Sequence, residues 1–297
     1  MNSVEIWRKL AWWAIYLGPR RDVTVDTANG LLTFDSKDWL IGKYLYVRRS
    51  HEASEMQRAI QFLRDEGYLA ESGSRNTVLN VGANIGMSAI GLLKQGYFER
   101  AIVFEPAPNT YRLLAHNIKQ NGLQHRIQHF PFALSSVDGE LELELSHDNS
   151  GDHRIRQTTS RGFFGEEKRR TIRVPVRTLD HLLSENPALR DERVELVWVD
   201  IQGHEGKFFQ GARDFLSQGI PVVSEFWPYG IERSGMSREE FGEILSRMFA
   251  HFCVIASDPL RKTPISEADS LFEMYRGPRE MCSMVLLPKR QQTTSSR

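Results

Sequence analysis

Two acidic residues and one histidine stand close to the ends of two apolar runs in the second half of the chain. Asp200 and Glu225 each end such a run, and His204 follows Asp200 after a short interval. If the runs are parallel strands, their carboxyl ends share one edge of a sheet and these side chains converge there. Imidazole has an unperturbed pKa of about 6.5, which suits proton removal near neutrality. We therefore predict a proton-transfer site with His204, Asp200 and Glu225 as catalytic residues.

The same side chains also fit other roles. Two carboxylates suit Mg²⁺, which prefers oxygen ligands, but the sequence offers no evident third ligand, so we predict no metal site. Alternatively, Asp200 binds the ammonium group of a ligand, Glu225 caps a local turn and His204 caps a helix. Trp227 and Tyr229 either form an aromatic wall for an acceptor or belong to the core at a bend.

A glycine-rich segment follows an earlier apolar run and precedes a helical pattern. It reads Gly82-Ala83-Asn84-Ile85-Gly86 and is preceded by Asn80 and Val81. Glycine lets the backbone approach a ligand closely, and a strand-to-helix turn is where open α/β sheets bind ligands. The spacing is not the G-x-G-x-x-G of dinucleotide-binding proteins, which argues against NAD.

Glu105 is the acidic partner of this segment. It ends the next apolar run along the chain, where a carboxylate can accept hydrogen bonds from both hydroxyls of a ribose. Together the glycine segment and Glu105 indicate an adenosine-type ligand. The alternative is a tight turn without a ligand, next to a solvated strand end.

The elements that must position these residues are visible from Thr77 onward. Short apolar runs alternate there with helical patterns, which is typical of a parallel sheet covered by helices on both faces. We predict strands at 78–81, 101–104, 127–131, 196–199 and 221–224. Ser237 and Glu240 form a capping box for a helix, and strands at 253–256 and 281–287 close the sheet as an antiparallel edge. The predicted fold class is α/β, doubly wound and mostly parallel.

A longer segment separates the third and fourth predicted strands. Its ends, 141–145 and 171–176, alternate polar and apolar residues as solvent-facing strands do. The polar stretch between them, 146–170, is predicted to be a mobile substrate loop.

Residues 1–70 form a predicted accessory region ahead of the main domain, 71–290. This region contains an apolar helix at 6–17, a hairpin that turns at Asn29-Gly30, and an amphipathic helix at 52–66. The tail, 291–297, has no apolar residue to bury and is predicted to be disordered.

The first predicted helix is rich in tryptophan. Trp7, Trp12 and Trp13 are followed by Arg20 and Arg21, so the helix either docks on the domain or on a second subunit, or lies at a membrane interface. We favour docking, which leaves room for a homodimer. Charges interrupt the apolar run and no cleavage site follows it, so we predict neither a secretion signal nor a membrane span, and a cytoplasmic location.

The charge balance and the cysteines exclude other classes of protein. The 38 basic and 38 acidic residues cancel, so no overall field attracts nucleic acid, and a nucleic-acid partner is disfavoured. Cys253 and Cys282, the two cysteines, lack metal-ligand spacing and are predicted to be reduced core thiols.

The chain resembles a known family over about residues 77–225. The blocks that carry the resemblance are VLNVGANIG at 78–86, FEPAP at 104–108, NI at 117–118, NGL at 121–123, FALS at 132–135, RTLD at 177–180, VDIQGHE at 199–205 and GA at 211–212. In this order they resemble the FkbM-like family of S-adenosylmethionine (SAM) dependent O-methyltransferases.

This resemblance implies a Rossmann-like class I methyltransferase fold with a seven-stranded sheet, SAM as cofactor, and a hydroxyl acceptor on a sugar, glycan or natural product. By position, it implies that the methionine end of SAM contacts Asn80, Gly82, Ala83, Asn84 and Gly86. It also implies that the ribose contacts Glu105, that the adenine contacts Phe132 and Ala133, and that Asp200 lies beside the sulfonium.

Three positions depart from the family pattern. Asn80 stands where the family usually has Asp, Trp198 where it has Lys, and Gln202 where it has Glu. The alternatives to a methyltransferase are therefore a non-catalytic protein that binds SAM or a nucleoside and, on the strand-loop-helix alone, an NAD-dependent dehydrogenase.

Overall fold

The computed structural model describes residues 3–50, 52–70 and 76–289. The tail predicted to be disordered, 291–297, lies outside the described residues. Within the described ranges the strands form a two-stranded hairpin, an eight-stranded sheet and a four-stranded sheet.

The elements are named in chain order. The strands are β1 (Asp22–Thr27), β2 (Gly30–Asp35), β3 (Thr77–Val81), β4 (Arg100–Phe104), β5 (Ile127–Phe130), β6 (Ala133–Leu134), β7 (Gly139–Leu145), β8 (Arg154–Ile155), β9 (Arg170–Arg177), β10 (Val194–Val199), β11 (Val222–Phe226), β12 (Phe249–Val254), β13 (Thr263–Pro264) and β14 (Cys282–Pro288). The helices are α1 (Ser3–Leu17), α2 (Trp39–Arg48), α3 (Ala53–Asp65), α4 (Met87–Lys94), α5 (Pro108–Gln120), α6 (Leu179–Glu185), α7 (Pro187–Arg190), α8 (Glu205–Gly211), α9 (Arg213–Leu216), α10 (Pro228–Arg233), α11 (Arg238–Met248) and α12 (Asp269–Met274).

The eight-stranded sheet has the order β13-β12-β14-β11-β10-β3-β4-β5. Its strands β3, β4, β5, β10 and β11 are parallel, and β14 lies antiparallel between β11 and β12. In β3, Val78 belongs to one buried cluster and Leu79 to another, so each face of the sheet has its own core. The predicted doubly wound, seven-stranded sheet is confirmed, and the short β13 adds an eighth strand at one edge.

The strand order reverses between β3 and β10. The chain continues from β3 to β4 on one side and from β10 to β11 on the other, although β3 and β10 are hydrogen-bonded neighbours. A crevice therefore forms at the carboxyl ends of these two strands, which is where open α/β sheets bind ligands.

The accessory region contains a helix that the sequence analysis missed. The hairpin β1-β2 and helix α3 are confirmed, but α2 lies between them. Asp38 starts α2, because its side chain accepts a hydrogen bond from the backbone N–H of Ile41 at 2.9 Å. The helix sequence carries apolar residues on all sides and an internal Gly42, so it lacks the amphipathic pattern that marks a helix.

The accessory region shares a core with the main sheet. Phe34 of β2 and Leu45 of α2 belong to the same buried cluster as Val78 of β3 and Ile90 of α4. Asn117 of α5 also accepts from the backbone N–H of Thr33 at 2.8 Å. The boundary near residue 70 stays a prediction, and the packing is continuous across it.

Residues 139–177 are called the insertion below, and their middle part, predicted to be a mobile substrate loop, contains a short strand and buried charges. Strands β7, β8 and β9 form a sheet whose Arg154 is buried at 4% side-chain exposure. Arg154 pairs with Glu144 at 3.4 Å and with Glu166 at 3.5 Å, and both acids are buried as well. Buried charges of this kind are held in place by their partners, so these ion pairs hold β7, β8 and the segment around Glu166 together within the insertion.

Across the ranges that the structure describes, no helix is both long enough and apolar enough to span a membrane.

Cys253 and Cys282 are free and buried, as predicted.

Candidate active site

A cavity of about 880 Å³ lies at the carboxyl ends of β3, β4, β10 and β11. Its lining combines the loop after β3 with side chains from α2 and from the insertion. The predicted site residues in the lining are Asn80, Gly82, Ala83, Asn84, Glu105, Ala133, Asp200, His204 and Glu225. Two further predicted residues, Gly86 and Phe132, are not part of the lining.

The glycine loop is shaped by contact with the next strand end. Gly82 has a φ of +83°, and a Cβ atom at this position would lie 2.0 Å from the backbone oxygen of Asp200. The close approach that requires glycine is therefore between two parts of the protein itself. Gly86, with a φ of +96°, precedes α4, and a Cβ there would meet Ile90 and Leu114 rather than a ligand.

Glu105 joins this loop to the end of β4. Its two carboxylate oxygens accept hydrogen bonds from the backbone N–H of Asn84 at 3.0 Å and of Ala107 at 2.8 Å. Burial raises the pKa of Glu105 to about 7, and the two backbone hydrogen bonds oppose that rise. Each oxygen keeps a second lone pair, so the carboxylate can still accept from a ligand hydroxyl.

Asn80 presents an acceptor without a partner. Its Nδ2 donates to the backbone oxygen of Trp198 at 3.1 Å, while its buried Oδ1 accepts no hydrogen bond from the described residues. An unmatched buried acceptor costs free energy, which a donor from a bound ligand would recover. Because Asn80 lines the cavity, it fits a ligand that carries an N–H group at this point.

Asp200 and Glu225 converge as predicted, and Gln202 joins them. The Nε2 of Gln202 donates to Asp200 at 2.7 Å and to Glu225 at 3.0 Å. A third carboxylate, Glu205, was not found from the sequence, yet one oxygen from each of the three acids lies within 4.8 Å of the others. Burial and then the neighbouring acids raise the pKa of Glu225 well above its usual value.

Glu52 brings another carboxylate to the cavity from the accessory region. Burial, followed by the charges of Asp200 and Glu55, raises its pKa to about 8. Its φ of +53° is uncommon for a residue other than glycine, and such backbone strain is concentrated at functional sites. No motif surrounds Glu52, so the sequence carried no signal for it.

His204 is placed differently from the expectation for a catalytic base. Its buried ring bonds through Nε2 to the Oγ of Ser135 at 2.9 Å. Burial, with a smaller contribution from Lys207, lowers the pKa of His204 to about 4, so the ring is neutral at pH 7 and a weak proton acceptor. The side chain makes no capping hydrogen bond to α8, which argues against the alternative role as a helix cap.

Three aromatic residues near the cavity have different positions. Phe132 packs against Phe104 and Phe130, with ring centroids 5.5 Å away in both cases, and is partly buried at the edge of the core. Trp227 lines the cavity and donates from Nε1 to the backbone oxygen of Pro278 at 2.9 Å. Tyr229 instead donates to Glu166 at 2.7 Å and so anchors the insertion.

A chain of hydrogen bonds links three distant segments above the glycine loop. The backbone N–H of Ser150, in the insertion, donates to Asp38 at 2.9 Å. Its hydroxyl donates to the same carboxylate at 2.5 Å and lies 3.4 Å from the Oδ1 of Asn84. Trp39 of α2 donates from its backbone N–H to the oxygen of Asp148 at 2.7 Å. The accessory region and the insertion thereby meet at one wall of the cavity.

Removing the charge of Glu205 is expected to stabilise the protein at alkaline pH. Its Oε1 accepts from Ile201 at 2.9 Å, but its buried Oε2 has no hydrogen-bond partner among the described residues. Burial raises the pKa of Glu205 to about 8, so the stability that its protonated form provides is complete below the unfolded pKa of 4.5 and is lost as the pH rises through about 8. We expect Glu205→Gln to match the wild type near pH 5 and to exceed it by about 1 to 3 kcal/mol near pH 9.

Urea unfolding at both pH values measures this effect. The exposed Glu140 of β7 offers a control, since Glu140→Gln should leave the pH dependence of stability unchanged. Equal stability of Glu205→Gln and the wild type near pH 9 would show that Glu205 ionises without cost.

Comparisons with known proteins point to methyltransferases. A sequence profile of the Methyltransferase FkbM domain matches residues 80–253. The chain is 25% identical over 187 residues to Methyltransferase sdnD of Sordaria araneosa, which covers 55% of this chain and 71% of that protein. It is also 24% identical over 160 residues to 2-O-methyltransferase NoeI of Sinorhizobium fredii, and that alignment covers 50% of this chain and 62% of that protein.

A solved structure shows a similarity that extends over more of the chain. A methyltransferase FkbM from Methylobacillus flagellatus aligns with 95% of this chain at 13% identity and a TM-score of 0.42. The alignment covers 59% of that longer chain.

Proposed function

Because the chain belongs to the FkbM methyltransferase family, we propose that it transfers a methyl group from SAM to a hydroxyl group of a sugar, glycan or natural product. The observation that carries the proposal is the cavity at the reversal point of the sheet, where the glycine loop, Glu105 and a carboxylate cluster face one space. Bound SAM supplies an electrophilic methyl group on a sulfonium. The protein must hold that cofactor, align an acceptor and accept its proton.

The cofactor side of the cavity offers groups of the right polarity. Asn80 provides the unmatched Oδ1 for the ammonium of the methionine end, and Glu105 provides acceptors for the ribose hydroxyls. Ala133 lines the cavity where the adenine is proposed to lie. Gly86 supports this arrangement through the turn before α4, and Phe132 through its packing against Phe130 at the end of β5, and neither residue lines the cavity.

We assign the acceptor's proton to the carboxylate cluster rather than to His204. A base is effective when its proton affinity is raised toward the working pH, and burial raises the pKa of both Asp200 and Glu225. Gln202 holds the two carboxylates together, so one can accept the proton while the other stays oriented. His204 is then a positioning residue at the start of α8 through its bond to Ser135.

Two observations support a hydroxyl group as the acceptor: the name of a similar protein and the aromatic wall of the cavity. The similar protein NoeI carries the name 2-O-methyltransferase, which supports an oxygen acceptor here. Trp227 and Phe164 line the cavity with their ring centroids 6.0 Å apart. Aromatic faces suit the apolar faces of sugar rings and of polyketide-like molecules.

Transfer of a radiolabelled methyl group from SAM to a panel of glycans and hydroxylated natural products tests the proposal. We expect label in at least one acceptor, and removal of the label by reagents that cleave methyl ethers. Tight binding of S-adenosylhomocysteine without transfer to any acceptor would favour a non-catalytic SAM-binding protein instead.

The Glu105→Ala variant is expected to weaken binding of S-adenosylhomocysteine by about 1 to 3 kcal/mol, which is about 5- to 150-fold in Kd. The variant removes the carboxylate that the ribose would contact and the acceptor that holds Asn84 and Ala107. Titration calorimetry measures the change. Glu105→Gln, which keeps the size and one acceptor oxygen, should fall between the variant and the wild type, and unchanged affinity in Glu105→Ala would contradict the ribose site.

A further inference from the structure

Helix α1 presents an apolar face to the solvent. Among its described side chains, residues 4–17, every exposed residue is apolar, whereas the charged Glu5, Arg8 and Lys9 are half-buried. Trp7, Leu10 and Leu17 are exposed to 71%, 57% and 73%. An amphipathic helix on a protein surface ordinarily places its polar side outward, so the orientation of α1 is reversed.

The helix is nevertheless anchored to the protein. Trp12 is fully buried, and its ring lies 6.0 Å from that of Phe34 in β2 and 6.5 Å from that of Trp39 in α2. Docking of α1 on the domain, the favoured expectation from the sequence, therefore accounts for this inner side. It leaves the apolar outer side without a partner among the described residues.

Helix α2 extends the exposed apolar area. The rings of Trp13 and Trp39 lie 4.8 Å apart and join the two helices, and Leu40 and Tyr44 of α2 are exposed. We define the α1–α2 face by the exposed residues Trp7, Leu10, Trp13, Leu17, Leu40 and Tyr44. Monomeric proteins rarely leave contiguous apolar patches of this kind uncovered unless the patch binds something.

Cationic side chains surround this face. The Nζ of Lys43 lies 4.7 Å from the ring centre of Trp39, and the guanidinium of Arg48 lies 4.6 Å from that of Tyr44. Along α1 and α2 the sequence has the four cations Arg8, Lys9, Lys43 and Arg48 against the single anion Glu5. A second copy of the chain would bring the same excess of positive charge to the face, whereas anionic headgroups would neutralise it.

We propose that the α1–α2 face binds the surface of a lipid bilayer that carries anionic headgroups. Tryptophan and tyrosine rings at the level of the headgroups, leucines below them and flanking lysine and arginine are the chemistry of helices that lie in this interface. Leu40 belongs both to the face and to the lining of the cavity, so the cavity lies beside the bound bilayer. The lipid contact does not depend on the proposed methyl transfer.

Co-sedimentation of the full chain with large unilamellar vesicles tests the proposal. Vesicles of phosphatidylcholine and phosphatidylglycerol in equal amounts should bind the protein and shift its tryptophan emission to shorter wavelength. The variant Trp7→Ser/Leu10→Ser/Leu17→Ser should bind at least about tenfold more weakly, because three apolar side chains no longer enter the interface. Vesicles of phosphatidylcholine alone should bind the wild type more weakly than the anionic vesicles.

A matched control uses exposed apolar residues elsewhere. Val137 and Met274 are exposed to 50% and 64%, and the variant Val137→Ser/Met274→Ser should bind vesicles as the wild type does. Circular dichroism establishes that both variants are folded. Absence of vesicle binding by the wild type, or equal binding by the triple variant, would overturn the proposal. The proposal would also be overturned if the wild type sedimented as a dimer and the triple variant as a monomer, because the face would then join two copies of the chain.

Discussion

The Glu225→Gln variant is expected to lose about 10²- to 10⁴-fold in kcat, the range that a general base contributes. Glu225 ends β11 in the cavity lining, and glutamine retains its size and an acceptor for the Nε2 of Gln202. What the variant loses is the ability to accept a proton. Burial and the neighbouring carboxylates raise the pKa of Glu225 well above its usual value, so the wild-type rate should increase with pH as this group ionises. The variant should lack that increase.

Two further variants separate the base from its surroundings. Glu205→Gln removes a charge from the same cluster, but Glu205 is not part of the cavity lining, so its loss in kcat should be far smaller. His204→Gln should raise KM or lower stability more than it lowers the pH-dependent part of kcat, because His204 contacts Ser135. A Glu225→Gln enzyme with wild-type kcat and an unchanged pH profile would show that alignment alone drives the reaction.

The Gly82→Ala variant is expected to lose binding of S-adenosylhomocysteine by at least about 100-fold and about 2 to 5 kcal/mol of unfolding free energy. An added Cβ would lie 2.0 Å from the backbone oxygen of Asp200 and 2.8 Å from the Cγ2 of Ile201, at a φ of +83°. Neither strand end can yield easily, because Asp200 is held by the backbone oxygen of Val81 at 3.0 Å. The clash therefore moves two walls of the cofactor cavity apart.

Gly96 provides the control for backbone strain. It has a similar φ of +75°, but no atom lies within 4 Å of the position of an added Cβ. Gly96→Ala should cost about 1 to 2 kcal/mol and leave ligand affinity intact. Calorimetry and urea unfolding compare the two variants. Equal losses of ligand affinity and of unfolding free energy in the two variants would mean that the close contact with Asp200 does not cause the effect at Gly82.

The parts of the fold that local sequence patterns encode could be predicted. Buried parallel strands read as short apolar runs, and helix starts carry capping residues such as Ser237 with Glu240, whose reciprocal bonds the structure contains. The glycine loop and the acids at strand ends followed from the rule that ligands bind where the strand order reverses. These predictions required only neighbours in the sequence.

The features that depend on distant contacts could not be predicted. Helix α2 has no amphipathic pattern because apolar residues such as Leu40 and Tyr44 stand on its exposed side as well as on its buried side. Glu52 lines the cavity from the start of α3, where no sequence motif marks it. The insertion appeared to be a polar loop because charges usually indicate solvent, whereas Arg154 and Glu166 neutralise each other inside the protein. For Phe132, the family position predicts a contact with the adenine, whereas the structure shows the ring partly buried against Phe130 and outside the cavity lining, so the adenine contact stays a prediction.

The contact between Asp38 and Ser150 has a consequence for the order of folding. These residues are 112 positions apart, and Ser150 is 66 positions from Asn84. Contacts across such intervals form late, because the intervening chain must first become ordered. During synthesis the accessory region leaves the ribosome before the insertion does, yet the wall that they share can form only after residue 150 has emerged. A nascent chain therefore cannot complete this wall of the cavity before the insertion has been synthesised.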